Sequence, residues 1–474
     1  VTRARDLSQI FATTNAEITA GVTPVDATYP PGDVRRYGAV GDGVTDDTTA
    51  LIDACKGSGT HAWVYVPAHL DCLVTAAIVN SSVAAYAVGQ TWYGGGRIRT
   101  ANGFDHHVFD LVGITDFTVL RLRGLSGTLG ATPSTATARF FRATASAHRC
   151  KLLYSHITGF QSAAQLQTSE HCQVIGNDMV SPLGWGVNVQ TDAHYATVRD
   201  NRISDPDGSE HCIYVAGSAG NTVTDTEIHG NTCSGGLGGI KLSYSDDARV
   251  SDNTCFGNTE SGILAGVGTT RAQIHSNALY DNGHHGILVY DTAATSDRNS
   301  VHHNTVRVND RHGIYILSTA PGAVTNTVVA DNDVDDNNQS SSTYNGINVS
   351  GAPTTGVKLR NNRVTNETTA ILIGAGVVSA VTDGNTFASN TTNISDSGTT
   401  TSIREYTEGA TSVADGGTVT HGHIKTPTKV QVTPITSGEF VSVTAIGATT
   451  FTVAIKKHDN SAGTTQIVYW KVSG

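Results

Sequence analysis

The chain has 474 residues, a formal charge of −11, 51 Gly and one Met, with 38% hydrophobic, 6% aromatic and only 15% charged residues. That charged share is well below the roughly 25% of ordinary domains, which excludes long amphipathic helices with charged outer faces, and with them a helical bundle or coiled coil. A negative chain is a poor partner for nucleic-acid phosphates, and no run approaches the roughly 20 apolar residues of a membrane helix.

The start lacks the basic-then-apolar pattern of a signal peptide. Residues 1–33 read as an N-terminal arm, with a short helix over 5–11 and a stretch ending Tyr29-Pro30-Pro31-Gly32. Thr45, followed by Asp46, Asp47 and the apolar Leu51 and Ile52, predicts an N-capped helix over 46–56. Such a helix covers the open first coil of a repetitive fold, where apolar core and strand edges are otherwise exposed.

From about residue 170 one phrase recurs: a small polar residue, Asn, any residue, then an apolar residue or Cys. Its Asn positions are 177, 201, 231, 253, 277, 304, 332, 362 and 385, spaced by 22 to 30 residues. A repeat of this period marks a solenoid. About ten residues after most of these Asn comes a second phrase, Gly, aliphatic, free position, aliphatic, as in Gly286-Ile287-Leu288-Val289 and Gly313-Ile314-Tyr315-Ile316. Alternation turns the two aliphatics inward and the middle residue outward. Two short strands per turn, broken at Asn and Gly, describe an all-β chain: a single-stranded right-handed parallel β-helix over 34–402. Leucine-rich repeats share the period, but their Leu consensus is absent.

The Asn column is assigned to structure, since stacked Asn bond from turn to turn and tolerate left-handed backbone. Cys55, Cys72, Cys150, Cys172, Cys212, Cys233 and Cys255 form no CxxC pair and read as free core thiols. After about residue 402 the repeat ends, and 408–474 alternates as a small C-terminal antiparallel β-domain.

Tyr37-Gly38-Ala39-Val40-Gly41-Asp42-Gly43-Val44-Thr45-Asp46-Asp47 closely resembles the opening of the pectate-lyase-like β-helix superfamily, which includes carbohydrate-active enzymes and phage tailspikes. Its Asp residues read as structural. Residues 281–287 and 309–314, containing Asp281-Asn282-Gly283-His284-His285-Gly286 and Asp310-Arg311-His312-Gly313, resemble stretches of the mannuronan epimerases that modify alginate. The catalytic Asp-Pro-His of that family would fall on Leu264-Ala265-Gly266, so the resemblance implies a sugar-binding surface without that epimerase mechanism. The opening Val1-Thr2-Arg3-Ala4-Arg5-Asp6-Leu7-Ser8 is similar to the start of phage tail-fibre proteins, and the segment from Gly416 to Val472 looks like C-terminal modules of phage-type β-helix proteins. Together these resemblances imply a homotrimeric, tailspike-like depolymerase of a virion tail or the extracellular space, its C-terminal module trimerising the chains.

Equivalent outward residues form columns about 4.8 Å apart per turn. Two polar patches emerge from that alignment. The first holds Glu210, His211, Tyr214, Lys241 and Tyr244, with Asp246 and Asp247 in the next turn; the second holds His284, His285, Tyr290, Asp291, Arg311, His312 and Tyr315. These types suit β-elimination from an acidic polysaccharide. A cation neutralises a uronate carboxylate, a neutral His or Tyr removes the adjacent proton, and an acid protonates the leaving oxygen. Arg311 is expected to hold the carboxylate, His285 or His312 to take the proton and Tyr315 to supply the acid. His284, Tyr290, Asp291, His211, Tyr214, Lys241, Tyr244 and Glu210 are expected to bind substrate. No cofactor and no metal are expected. Hydrolysis by paired carboxylates, Glu210 with Asp207, Asp246 or Asp247, or Asp291 with a neighbour, is the alternative, and a non-catalytic glycan-binding tail protein is another.

Overall fold

Short β-prone trios separated by Asp, Asn, Ser and Gly in the left-handed region make every corner of the coil. Asp200, Asp252, Asp281 and Asp331 all have φ near +55°, a conformation that Asp and Asn tolerate because their side chains bond the local backbone. The computed structural model describes residues 13–127, 137–207, 209–319, 323–340, 343–404, 406–420, 427–434 and 438–473. The helix expected over 5–11 and the tail-fibre-like opening lie outside the described residues.

The chain is all-β, a parallel solenoid of about 13 turns followed by small antiparallel sheets. Each turn carries three main strands, where the sequence pattern suggested two. One 14-stranded parallel sheet runs from Asp42–Asp46 to Thr386–Ala388, a second from Trp63–Tyr65 to Ser402–Ile403, and a 12-stranded sheet from His107–Val112 to Thr392–Asp396. The unforeseen strands are trios such as Glu227–His229 and Gln273–His275, each giving one inward aliphatic between two polar residues. Three residues are too few for alternation to show. Ile213, Ile240, Ile263, Ile287 and Ile314 have no exposed surface and stack along the interior. Cys233 faces Cys255 in register, and all seven thiols are free and buried. Burial pushes the Cys55 thiol up to about 12, far from the low values of reactive cysteines. No helix among the described residues is long and apolar enough to cross a membrane.

The capping helix spans Thr48–Ser58 and buries Leu51, Ala54 and Cys55. It starts later than expected because Thr45 belongs to the strand Asp42–Asp46. The Asp46 carboxylate accepts from the Thr48 amide (3.0 Å), and Asp47 accepts from the Val40 and Gly41 amides (2.7 and 3.0 Å). Asp42 accepts from Val44 and Thr45 (2.8 and 2.7 Å), so all three carboxylates build the first turn.

The Asn column is a buried ladder in which each side-chain Nδ2 donates to the next Oδ1, as from Asn277 to Asn304 at 2.9 Å. A second ladder, Asn258, Asn282, Asn309 and Asn337, was not read from the sequence; its links run 2.8–2.9 Å. It ends on Glu367, whose Oε1 accepts from the Asn337 backbone amide and Nδ2, both at 3.0 Å. The Oε2 atom of Glu367 is buried without a partner among the described residues, and burial raises the Glu367 pKa to about 7 from 4.5. Because the folded value is raised, the fold loses stability as pH climbs from about 4.5 to about 7. Glu367→Gln keeps the accepting oxygen without the charge. The variant should match the wild type near pH 4 and exceed it by up to about 3 kcal/mol above pH 7, at roughly 1.4 kcal/mol per pKa unit. Denaturant midpoints at the two pH values test this; equal stabilities at pH 8 would contradict it.

Beyond the solenoid, Tyr406–Val413, Lys429–Pro434 and Gln466–Ser473 form one antiparallel sheet, and Thr418–Thr420, Phe440–Ile446 and Thr450–Lys456 another. They share a separate core that includes Val419, Phe451, Val453, Ile455 and Val468.

Candidate functional site

Where a strand of the 12-stranded sheet opens on the Gly-Ile phrase, both the Gly and the aliphatic turn inward. A Cβ on Gly286 would lie 2.2 Å from Val306 Cγ1, and one on Gly313 2.6 Å from Val334 Cγ1. Glycine lets the corner close on the core, and the resulting kink brings residues three apart onto one outer face. His312 and Tyr315 accordingly have ring centroids 4.6 Å apart, and His211 and Tyr214 5.8 Å.

The register sets Tyr214, Lys241, Leu264, Leu288, Tyr315 and Asn348 in one outward column. Four steps separate Tyr214 from Tyr315, about 19 Å. A neighbouring column is fixed by the backbone bonds Leu237 to Glu210, Glu260 to Leu237, His284 to Glu260 and Arg311 to His284, at 2.6–3.0 Å. The two patches read from the sequence therefore lie on one face. Tyr290 joins them: its ring packs over Gly266, and its hydroxyl, raised in pKa first by burial, also feels Tyr214 and Glu260.

This face holds buried polar atoms that have no partner among the described residues: His107 Nδ1, Ser162 Oγ, both amide atoms of Asn188 and His211 Nδ1. Each such atom costs about 1–3 kcal/mol, and folded proteins rarely leave them unmatched. They leave this face with groups able to bond a polar ligand. Two cations here, Lys241 and Arg311, have no carboxylate ion pair among the described residues; Lys241 lies over the Tyr214 ring at 5.1 Å and Arg311 over Tyr344 at 5.7 Å.

The histidines are held by the main chain. His285 and His312 stack at 5.2 Å with rings 6° apart. The His312 amide donates to His285 Nδ1 (3.2 Å), and the Asn345 amide to His312 Nδ1 (2.9 Å). An imidazole that accepts at Nδ1 is neutral and carries its proton on Nε2. Burial, reinforced for His285 by neighbouring His312, lowers the two pKa values to about 2 and about 4. Near neutral pH both rings are therefore Nε2–H donors. The Asn348 amide lies 3.1 Å from His312 Nε2; turned over, its otherwise unpartnered Oδ1 accepts that proton. With both nitrogens engaged, His312 has neither one open to take a proton. His285 Nε2 has no bonded partner among the described residues.

His284 has neither nitrogen bonded among the described residues. Its pKa is lowered by burial and then by Arg311, against an opposing pull from Glu260 and Asp310. It is half-buried, and a neutral ring there has a lone pair open to accept a proton. Tyr315 accepts a hydrogen bond from Ser350 Oγ at 3.0 Å, which leaves its own proton free to donate.

Several sequence expectations are corrected. Asp291 is fully buried and accepts from the Gly268, Ala293 and Ala294 amides and Ser296 Oγ at 2.7–3.0 Å. It anchors a corner and has no capacity left for substrate. Asp246 and Asp247 both pair with Arg271, and Asp246 lies in a separate corner sheet with Val223–Thr224, so neither partners Glu210. Tyr244 sits at the same corner, its ring against Gly268. Glu260, Trp185, Tyr344 and Asn348 were not among the expected site residues. Glu260 shares the column of Glu210, His284 and Arg311, and that alignment was the signal for it.

The right handed beta helix region family model matches residues 162–329. No curated protein matches the sequence. The A-module of a mannuronan C-5 epimerase from Azotobacter vinelandii superposes with a TM-score of 0.58 at 17% identity, covering 78% of this chain and 99% of that one. A tailspike protein of E. coli bacteriophage HK620 gives 0.57 at 11% identity over 93% of both chains. PfbA, a surface adhesin of Streptococcus pneumoniae, gives 0.51 at 13% identity over 77% and 93%. At such identities the likeness is one of fold. With the family match over 162–329, it shows that this chain has the fold of a right-handed parallel β-helix.

Proposed function

We propose that the groove binds an acidic polysaccharide and cleaves it by β-elimination beside a uronate. The carrying observation is the pairing of unneutralised Lys241 and Arg311 with main-chain-held neutral histidines on a face of unpartnered polar atoms. Arg311 and His285 Nε2–H take the uronate carboxylate and stabilise the charge that develops on it. His284 removes the C5 proton, and the C5–H electrons form the C4=C5 double bond. The C4–O bond to the next sugar breaks, and the Tyr315 hydroxyl protonates the leaving oxygen. A polymer on this face can run from His107 to Asn345, about 43 Å at the solenoid rise. The fold neighbours are consistent with a carbohydrate ligand: one is a mannuronan epimerase module and another a tailspike in complex with a pentasaccharide.

A second reading has its own observation. Glu210 and Glu260 share a column two turns apart, about 9.6 Å along the rise, close to the carboxylate spacing of inverting glycosidases. Burial raises the Glu210 pKa, as a general acid requires. Incubation with a panel of uronate polymers separates the readings. New reducing ends with the ultraviolet absorbance of an unsaturated uronate mean elimination. Ends without absorbance move the chemistry to the glutamates, and binding without either product leaves a glycan-binding protein.

The chain is further proposed to work as a homotrimer of a virion tail or the extracellular space, on the tail-like resemblances at its ends. Light scattering of the intact protein should return three chain masses; a single chain mass ends that part of the reading.

A further inference from the structure

Away from the groove, the corner between the 12-stranded sheet and the second 14-stranded sheet carries an unusual column. His148 pairs with Glu170 in register, and Glu170 bridges to His194 on the next coil. His171 follows Glu170 in the left-handed conformation, φ 55°, which swings its ring back beside the column. It stacks on Tyr195 at 4.7 Å and lies 5.2 Å from the His148 ring. One ligand atom from each of His148, Glu170 and His171 lies within 4.8 Å of the others, the single such group among the described residues. The adjoining hollow, about 420 Å³, is lined in part by Ser146, Glu170, Asp192 and His194.

We propose that His148, Glu170 and His171 bind one divalent transition-metal ion, with His194 within the same column to complete the set. Two imidazoles and a carboxylate are the donors of zinc and its neighbours, whereas magnesium and calcium prefer oxygen alone. The Arg149 guanidinium, itself bonded to Asp116 at 2.6 and 2.7 Å, meets His148 Nδ1 at 3.0 Å. A ring that ligates through Nε2 carries its proton on Nδ1, so Arg149 must move off Nδ1 when the ion enters and the Nε2 proton shifts to that nitrogen. The ion has a mechanical use at this place. The corner is held by strands of only two residues, Ala147–His148 and Ser169–Glu170, and a metal spanning successive coils clips them where backbone pairing is thinnest. The site is independent of the groove and of its chemistry.

The test uses the full chain, titrated with Co²⁺ as the spectroscopic probe and with Zn²⁺ as its competitor. One ion per chain, with visible Co²⁺ bands displaced by Zn²⁺ and a melting temperature raised by Zn²⁺, is expected. The double variant His148→Ala/His171→Ala should weaken binding by more than the roughly 100-fold reached by altering a ligand's hydrogen-bond partner, and should melt at a temperature indifferent to Zn²⁺. His302→Ala, in a stacked pair with His275 at 5.0 Å, should bind as the wild type does. Absence of saturable binding, or equal binding by the double variant, overturns the proposal.

Discussion

Arg311→Ala and His284→Ala should each lower turnover of the cleaved uronate polymer by about 10²–10⁴-fold, the range that positioned bases and charge-stabilising donors supply. Neither substitution should unfold the coil. Both side chains stand half-buried on the outer face, and substitutions on such surfaces stay within about 0.5 kcal/mol. The two losses should differ in kind. Without Arg311, the carboxylate is poorly neutralised in ground and transition state alike, so KM rises along with the fall in kcat. Without His284, binding persists and kcat alone falls. Lys241→Ala, three turns away, should raise KM with kcat near its wild-type value, because it touches a different sugar. The pH dependence carries a sign as well. His284 must be neutral to accept the proton, and burial with Arg311 lowers its pKa, so the rate should fall only on acidification below the ordinary histidine range. Wild-type rates in both Arg311→Ala and His284→Ala, on a substrate shown to be eliminated, would remove this site and return attention to Glu210 and Glu260.

The solenoid was legible because its signals are periodic and redundant. Nine Asn at one spacing and the Gly-aliphatic phrase mark two of the three sheets, and the aliphatic column they align is the buried stack. The third sheet was illegible for a physical reason: one inward residue per strand leaves no pattern to detect. The capping helix was shifted because Thr45 reads as an N-cap in the sequence, and only the pairing of Asp42–Asp46 with Asp71–Val74 shows that it lies in a strand, with Asp47 at the helix N-cap.

The site was legible as columns and illegible as chemistry. Alignment alone put His285, His312, Tyr315 and Arg311 together on adjacent turns, and the fold keeps them together. It could not tell that the amides of His312 and Asn345 occupy the Nδ1 atoms of the two stacked rings. Those bonds come from backbone groups, which every residue has, so no side-chain identity announces them. The same blindness gave Asp291 a binding role. Its carboxylate looks available in a sequence, and in the fold it is filled by three amides and a hydroxyl.

The largest loss of stability should come from the Asn ladder. Asn277 has 1% of its surface exposed, and its Oδ1 accepts from the backbone amide and Nδ2 of Asn253, both at 3.0 Å. Its Nδ2 donates to the Val250 carbonyl and to Asn304 Oδ1, both at 2.9 Å. Asn277→Ala strips the acceptor from two buried donors and a donor from a buried carbonyl. At about 1–3 kcal/mol for each unsatisfied group, the cost is on the order of 4 kcal/mol. Asn385, the Asn at the end of that ladder, is 7% exposed. Water reaches that coil more readily, so Asn385→Ala should cost clearly less. In a solenoid each coil bonds mainly to its neighbours, so the damage should be local. Hydrogen exchange in the Asn277→Ala variant should quicken across residues 249–280. The C-terminal core around Phe451 and Val453 is a separate cluster and should exchange as before, serving as an internal control. Equal losses at Asn277 and Asn385, or protection unchanged through 249–280, would mean that the aliphatic stack holds the coils together and the ladder only fills space between them.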